Sequence, residues 1–368
     1  MSTADGDAIR FGERVLALLD SGSFTATYKY AVLLALLDLC LEHAGRTGEP
    51  PSSLTTVQLA EKIIELYWPQ TAPFALASEP VVLRQNTSGQ AEIVSHILEF
   101  RRHHAPDPSC GLHRAVLAAP AAYRRLAAHV EWKLIEMPLP RLQQLGRDYD
   151  PFIYLIGWDS RITQRDARSP EFDNRILLLE TAGENLVRLA PLIRPLAHRE
   201  WTAMVARINR EVVQESHLED FLFGTERGVV SRLAPPLREL QADRCFYCEE
   251  PLSTPVDVDH FLPWTRFADD GIENLVAAHR GCNNSKRDFL AAQEHLSRWV
   301  ERFRPGDSLG TRLATLSDAT GWQRNPRRTL SVARAIYLNL PAGSRLWASI
   351  DRFVGAEHAD LERVLTRV

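Results

Sequence analysis

Apolar positions along this chain fall mostly at helical spacing. The run AVLLALLDLCL at 31–41 is apolar all round rather than along one stripe. That predicts a helix over 28–43 at the centre of a domain, capped by Thr25 to Thr27. Gly45 to Pro51 breaks it. SSLTTVQLAEKIIELYW then offers Ser and Thr N-caps, followed by Val57, Leu59, Ile63, Ile64 and Tyr67 at helical spacing. A loop holding Pro69, Pro73 and Pro80 precedes a predicted helix over 91–102, and 112–136 also reads as helix. Texture changes at Pro138, Pro140 and Pro151. PFIYLIGW (151–158) and NRILLLE (174–180) are apolar, partly β-branched runs separated by a polar loop, which predicts a hairpin. Helix resumes over 183–209 despite Pro191 and Pro195. It returns after Phe289 and runs to the end, interrupted at 304–308 and 324–328.

The expected fold class is therefore mainly α with a small α+β module. Its divisions are a helical N-terminal domain (1–150), a hairpin and helices connecting (151–235), a module rich in candidate chemistry (236–295) and a helical C-terminal segment packing on it (296–368). A length of 368 residues suits two or three domains, and 45% hydrophobic with 24% charged residues excludes disordered and fibrous classes. The net charge of −4 argues against a generally basic coat, though not against a local basic patch. The acidic start MSTADGDAIR has no apolar core of a secretory signal, and no run reaches bilayer length, so a cytoplasmic protein is expected.

Chemistry concentrates in 245–288. Cys245-x-x-Cys248 opens the stretch and His279-x-x-Cys282 closes it, two pairs that suit tetrahedral zinc because each pair binds from one tight turn. The insert between them contains VDVDHFLP. Strand alternation puts Asp257 and Asp259 on one face and His260 on the other, at the strand's end. Carboxylates beside a histidine are what metal-assisted phosphodiester hydrolysis needs: oxygen for a hard ion and imidazole to take water's proton. Asn274, Asn283 and Lys286 follow. Lys286 is one of four lysines among 43 basic residues.

On Asp259, His260, Pro263, Asn274, Leu275, Cys282, Asn283 and Lys286, set between two metal-binding turns, the stretch resembles the HNH endonucleases, the ββα-metal family, and their zinc-stapled subgroup. It is similar also to the HNH domain of RNA-guided effectors, in which an acidic residue likewise precedes the histidine. Two positions depart from the common pattern. His279 stands where relatives most often have cysteine, and Asn283 where many have a third histidine. The resemblance implies a zinc-stapled nuclease domain in which His260 is the general base. Asp259 and Asn283 hold Mg²⁺ or Mn²⁺, Asn274 braces the loop, and Zn²⁺ sits on Cys245, Cys248, His279 and Cys282. Asp257 is then a second carboxylate for the ion or a partner of its ligands.

The expected activity is a divalent-metal-dependent endonuclease on DNA, in bacterial restriction or antiviral defence. The expected partners are DNA, with a homodimer or a defence-system protein as further candidates. Two other readings stand beside it: a zinc-stabilised binding module that cuts nothing, and an HNH nuclease acting on RNA. Residues 280–334 carry eleven Lys or Arg against five Asp or Glu. Arg280, Lys286, Arg287 and Arg298 are the candidates for nucleic-acid contact, weighed equally against a merely solvated face. Arg84, Gln85, Asn86 and Gln90 lie where a helix-turn-helix would contact bases, against the alternative of a docking scaffold. His103, His104, Cys110 and His113 read as an exposed loop rather than a metal centre, and Trp264 as the tryptophan best placed to stack a base.

Overall fold

The computed structural model describes residues 3–20, 25–75, 80–145, 148–213, 217–224, 230–253 and 255–368. In it the run that is apolar all round forms the helix Tyr28–Glu42, and residues 31–37 have no exposed surface. Asp38, the charge within that run, is neutralised by the equally buried Arg194 at 2.5 Å. The chain divides into two units, Met1–Cys40 with Pro51–Gly224, and Leu41–Pro50 with Thr225–Val368. No helix among the described residues is long and apolar enough to cross a membrane.

In the first unit, Thr55 ends a short strand and caps the helix Thr56–Tyr67 through a reciprocal pair of hydrogen bonds with Gln58. Further helices run over Thr3–Asp20, Glu92–His104, Pro120–Glu136 and Ala182–Ile208, the last continuing through Pro191 and Pro195. The expected hairpin is present as Tyr154–Ile156 against Arg175–Leu178, and Ser53–Thr55 extends it to a three-stranded antiparallel sheet. Its faces alternate as a half-buried sheet should: Ile176 is fully buried while the paired Leu155 and Leu177 are exposed.

The supposed base-reading stretch does something else. Gln85 is fully buried. Its Oε1 accepts from the Thr27 hydroxyl and from Trp201 Nε1, both at 2.9 Å, and its amide donates to Gln70 Oε1 at 2.8 Å. Arg84 donates to the Ile208 carbonyl, and Gln90 to the Leu83 carbonyl. Gln85 and Gln90 are thus spent inside the unit, and the loop they lie on is locked down rather than held out as a helix start facing bases.

The second unit holds the hairpin Val256–His260 with Leu275–His279, followed directly by the helix Arg280–Lys286. Helices Gln293–Val300, Ser308–Thr320, Pro326–Leu338 and His358–Leu365 complete it. The C-terminal segment is not helical throughout. Arg345–Ser349 and Arg352–Gly355 pair as a second hairpin, turning at Asp351 with φ +60° and burying Leu346, Trp347 and Ala348. Three consecutive buried residues hide the period-2 alternation that would have announced a strand.

Candidate active site and metal cluster

The first metal-binding turn is built by backbone hydrogen bonds. The Cys245 amide donates to the Glu250 carbonyl and the Glu249 amide to the Cys245 carbonyl, with Glu249 at φ +61° closing the loop. His279 ends the second strand of the hairpin, and Cys282 lies in the first turn of the helix that follows. The ligand atoms of Cys245, Cys248, His279 and Cys282 all lie within 4.8 Å of one another. Zinc bonds of about 2.3 Å in a tetrahedron set sulfur ligands about 3.8 Å apart, so four donors this close fit one ion. The tautomer suits it too. His279 Nε2 donates to the Pro251 carbonyl at 3.0 Å, leaving the Nδ1 lone pair facing Cys248 Sγ at 3.3 Å. A hydrogen bond from Cys282, with amides of the two turns, pushes the Cys245 thiol down, and the same contact pushes Cys282 up. Among the described residues this is the one group of three or more His, Cys, Asp or Glu compatible with a metal; His103, His104, Cys110 and His113 form none.

Alternation along Val256–His260 works as the sequence suggests, and the helix Arg280–Lys286 crosses the face that carries the two aspartates. Asn283 Nδ2 donates to Asp257 at 3.2 Å, and Lys286 Nζ pairs with Asp259 Oδ2 at 3.0 Å. Asp259 is 8% exposed, and the same Oδ2 accepts from the Tyr247 hydroxyl at 2.5 Å. Burial, then Asp259's charge, raises the Tyr247 pKa far above its ordinary value, so the phenol stays a neutral donor. Both contacts fall on one oxygen of the Asp259 carboxylate. The structure therefore brings Asn283 beside Asp257, and sets Asp259 over Lys286 and Tyr247.

Lys286 does not reach out to a phosphate. Its side chain has no exposed surface, and besides Asp259 it donates to the His260 carbonyl at 2.9 Å. The ammonium thus ties Asp259 and His260 together from beneath. Asn274, also fully buried, accepts from the Leu262 amide at 2.8 Å and donates to the carbonyls of Leu262 and Asp269. It spans both ends of the loop that leaves His260 and returns to the second strand. His260 itself turns to the other side, where Nε2 meets Asp270 Oδ1 at 2.8 Å and the ring tilts against Trp264, centroids 5.3 Å apart.

Part of the basic excess of 280–334 is consumed internally, while Arg304, Arg312, Arg324 and Arg327 remain exposed. Arg302 is buried, donating to the carbonyls of Glu273 and Leu275, and burial pushes its pKa down to about 10. Arg298, its side chain 36% exposed, donates to the Phe246 carbonyl and pairs with Glu249, bracing the first metal-binding turn. Arg324 pairs with Glu273 and Arg328 with Glu42. Arg287 is exposed, with Nε on the Asn284 carbonyl. Arg280 stands out, its side chain 62% exposed beside Asp257 at 3.5 Å. Tyr247 and Asp270 escaped sequence reasoning. Tyr247 hides inside the C-x-x-C spacing, and Asp270 lies ten residues from the histidine it meets.

Residues 11–222 match the model of a family described as Domain of unknown function (DUF8808), and residues 245–292 match that of the HNH endonuclease family. No curated protein and no solved structure matches the chain.

Proposed function

The chain belongs to the family described as Domain of unknown function (DUF8808) and carries an HNH endonuclease domain, and from that premise we propose that it is a divalent-metal-dependent endonuclease that hydrolyses DNA. The observation that carries this reading is the join of hairpin and helix: Asp259 and His260 at the end of one strand, with Asn283 on the helix laid across its acidic face. His260 takes the proton of the attacking water as that oxygen bonds to phosphorus and the bond to the 3′-oxygen breaks. Asp259 and the side-chain oxygen of Asn283 would hold Mg²⁺ or Mn²⁺, with Asp257 alongside; an oxygen-only donor set suits such hard ions. What such an ion would supply is stabilisation of the charge that develops on the phosphate and the leaving oxygen. Lys286 pairs with the Asp259 carboxylate and holds the His260 backbone in place. Arg280 is an exposed cation beside Asp257 that meets a neighbouring phosphate, as a bidentate fork can.

Zn²⁺ on Cys245, Cys248, His279 and Cys282 is structural, because four protein ligands leave no open position for a reacting group. Three thiols kept for a metal suit the reducing cytoplasm. The role we assign it is bacterial restriction or antiviral defence, as the resemblance to HNH endonucleases implies. A single centre cuts one strand, so cleavage of both strands calls for a homodimer or a partner protein. Labelled duplex DNA and RNA of one sequence, each incubated with Mg²⁺, Mn²⁺ or EDTA, test the substrate. DNA cleaved only with the ion is the expected result. RNA cleaved in preference selects the ribonuclease reading, and neither cleaved under any ion returns the chain to a binding role.

A further inference from the structure

A base needs a lone pair aimed at water, and a histidine has that only if something holds the proton on its other nitrogen. In this chain the holder is a carboxylate. Asp270 Oδ1 lies 2.8 Å from His260 Nε2, with the two side chains 27% and 13% exposed. An ionised carboxylate accepts and cannot donate, so the proton belongs on Nε2 and the lone pair on Nδ1.

Asp270 is itself held. Its carbonyl accepts from Trp322 Nε1 at 2.6 Å, and the Ile272 amide donates to the Gln323 carbonyl at 3.1 Å. Next to it, the buried Asp269 accepts from the Gly271 amide and, through its other oxygen, from the Thr329 hydroxyl, both at 2.9 Å. Asn274 donates to the Asp269 carbonyl at 3.0 Å. Trp322 and Thr329 lie beyond the 245–292 segment that matches the nuclease family.

We propose that Asp270 is the positioning residue that fixes the proton of His260 on Nε2 and leaves Nδ1 as the base, and that the C-terminal segment, through Trp322 and Thr329, completes the active centre by fixing Asp270. The proposal rests on the nuclease reading for its kinetic consequence but not for its geometry. After Nδ1 takes the proton of water, the Asp270 carboxylate faces the resulting imidazolium and stabilises it. The segment after 292 is then a working part of the catalytic unit. Asp270→Asn is the sharpest change: an amide can turn its NH₂ toward Nε2, which draws the proton onto Nδ1 and removes the base.

The full chain labelled with ¹⁵N-histidine gives the tautomer directly from long-range ¹H–¹⁵N correlations of the neutral ring, with the His260 signals identified by their loss in His260→Gln. The expected spectrum has the proton on Nε2 in wild type, a mixture in Asp270→Ala, and Nδ1–H in Asp270→Asn. A wild-type proton on Nδ1, or three identical spectra, overturns the proposal whatever the protein does to DNA. On a DNA substrate, Asp270→Asn is expected to lower kcat about 100-fold or more with KM little changed. Trp322→Phe, which keeps the ring and loses the N–H, and Thr329→Val are expected to lower kcat less, again without raising KM. Unchanged kcat in Asp270→Asn at unchanged zinc content, or a fall that appears in KM alone, contradicts it. A wild type that cuts nothing defeats the nuclease reading and leaves the spectral result to decide the role of Asp270.

Discussion

Both units bury polar groups, charged ones included, and one network in each is built on an opposite plan to the other. In the first, Thr27, Gln70 and Trp201 all meet the side chain of Gln85, and Tyr67 meets Thr27, a branched network of neutral donors and acceptors with none reaching solvent. In the second, charges are buried: Lys286 under Asp259, with Tyr247 on the same carboxylate, and the edge of the network opens through His260, Asp270 and Asp257. A closed neutral network fixes one packing of the chain, as a satisfied core does. A charged network with an open edge stores carboxylates and an imidazole where a substrate and an ion can reach them, the arrangement expected of a site that does chemistry.

Changes that remove the staple should separate the units most strongly. Chelation of zinc, or Cys245→Ser, is expected to unfold the second unit and abolish cleavage, since structural zinc contributes roughly 10 kcal/mol or more to small metal domains. Circular dichroism should then lose only part of its helical signal, because the first unit holds no part of the cluster. Loss of the whole signal in one transition would contradict the independence of the two plans.

Next in size, Lys286→Met leaves the Asp259 carboxylate buried without its counter-charge, at a cost of about 3–5 kcal/mol in denaturant unfolding and with loss of activity. If Lys286 served a phosphate instead, the variant would keep its stability and raise KM. Gln85→Leu strips the partner from Thr27, Gln70 and Trp201 together. It should cost about 2–4 kcal/mol through unsatisfied buried groups while leaving DNA affinity unchanged. A weakened affinity at undiminished stability would revive the base-reading role for this loop. The smallest effect is expected for Arg280→Ala, which should weaken DNA binding and reduce the slope of log affinity against log salt by about 1, with kcat little altered.

How legible these features were in the sequence follows from how local they are. The four zinc ligands and the Thr55 cap are set by spacing within a turn or two, so pattern reading reached them. Asp257, Asp259 and His260 were sorted onto faces by strand period alone. The fate of Lys286 was half legible: Cys282 and Lys286 stand four apart on one helix, hence on one face, and both are buried. The rarity of lysine suggests a phosphate role, whereas that spacing points to the buried side of the helix. Gln85 and Asp270 were out of reach in different ways. Polar loop residues look alike whether they face solvent or a core 116 positions away at Trp201. Asp270 gains its meaning from a loop folded back by Asn274 and Trp322. The second hairpin was missed because burial of both faces erased its alternation.

The central claim is that the hairpin and helix of the second unit form a metal-dependent cutting centre whose base is His260. Supercoiled plasmid incubated with the full chain and Mg²⁺ or Mn²⁺, beside His260→Ala of matched zinc content and unfolding temperature, tests it most directly. The account predicts nicked and then linear plasmid with wild type, nothing in EDTA, and a rate lower by about 100-fold or more in the variant. Cleavage by His260→Ala at the wild-type rate would contradict it.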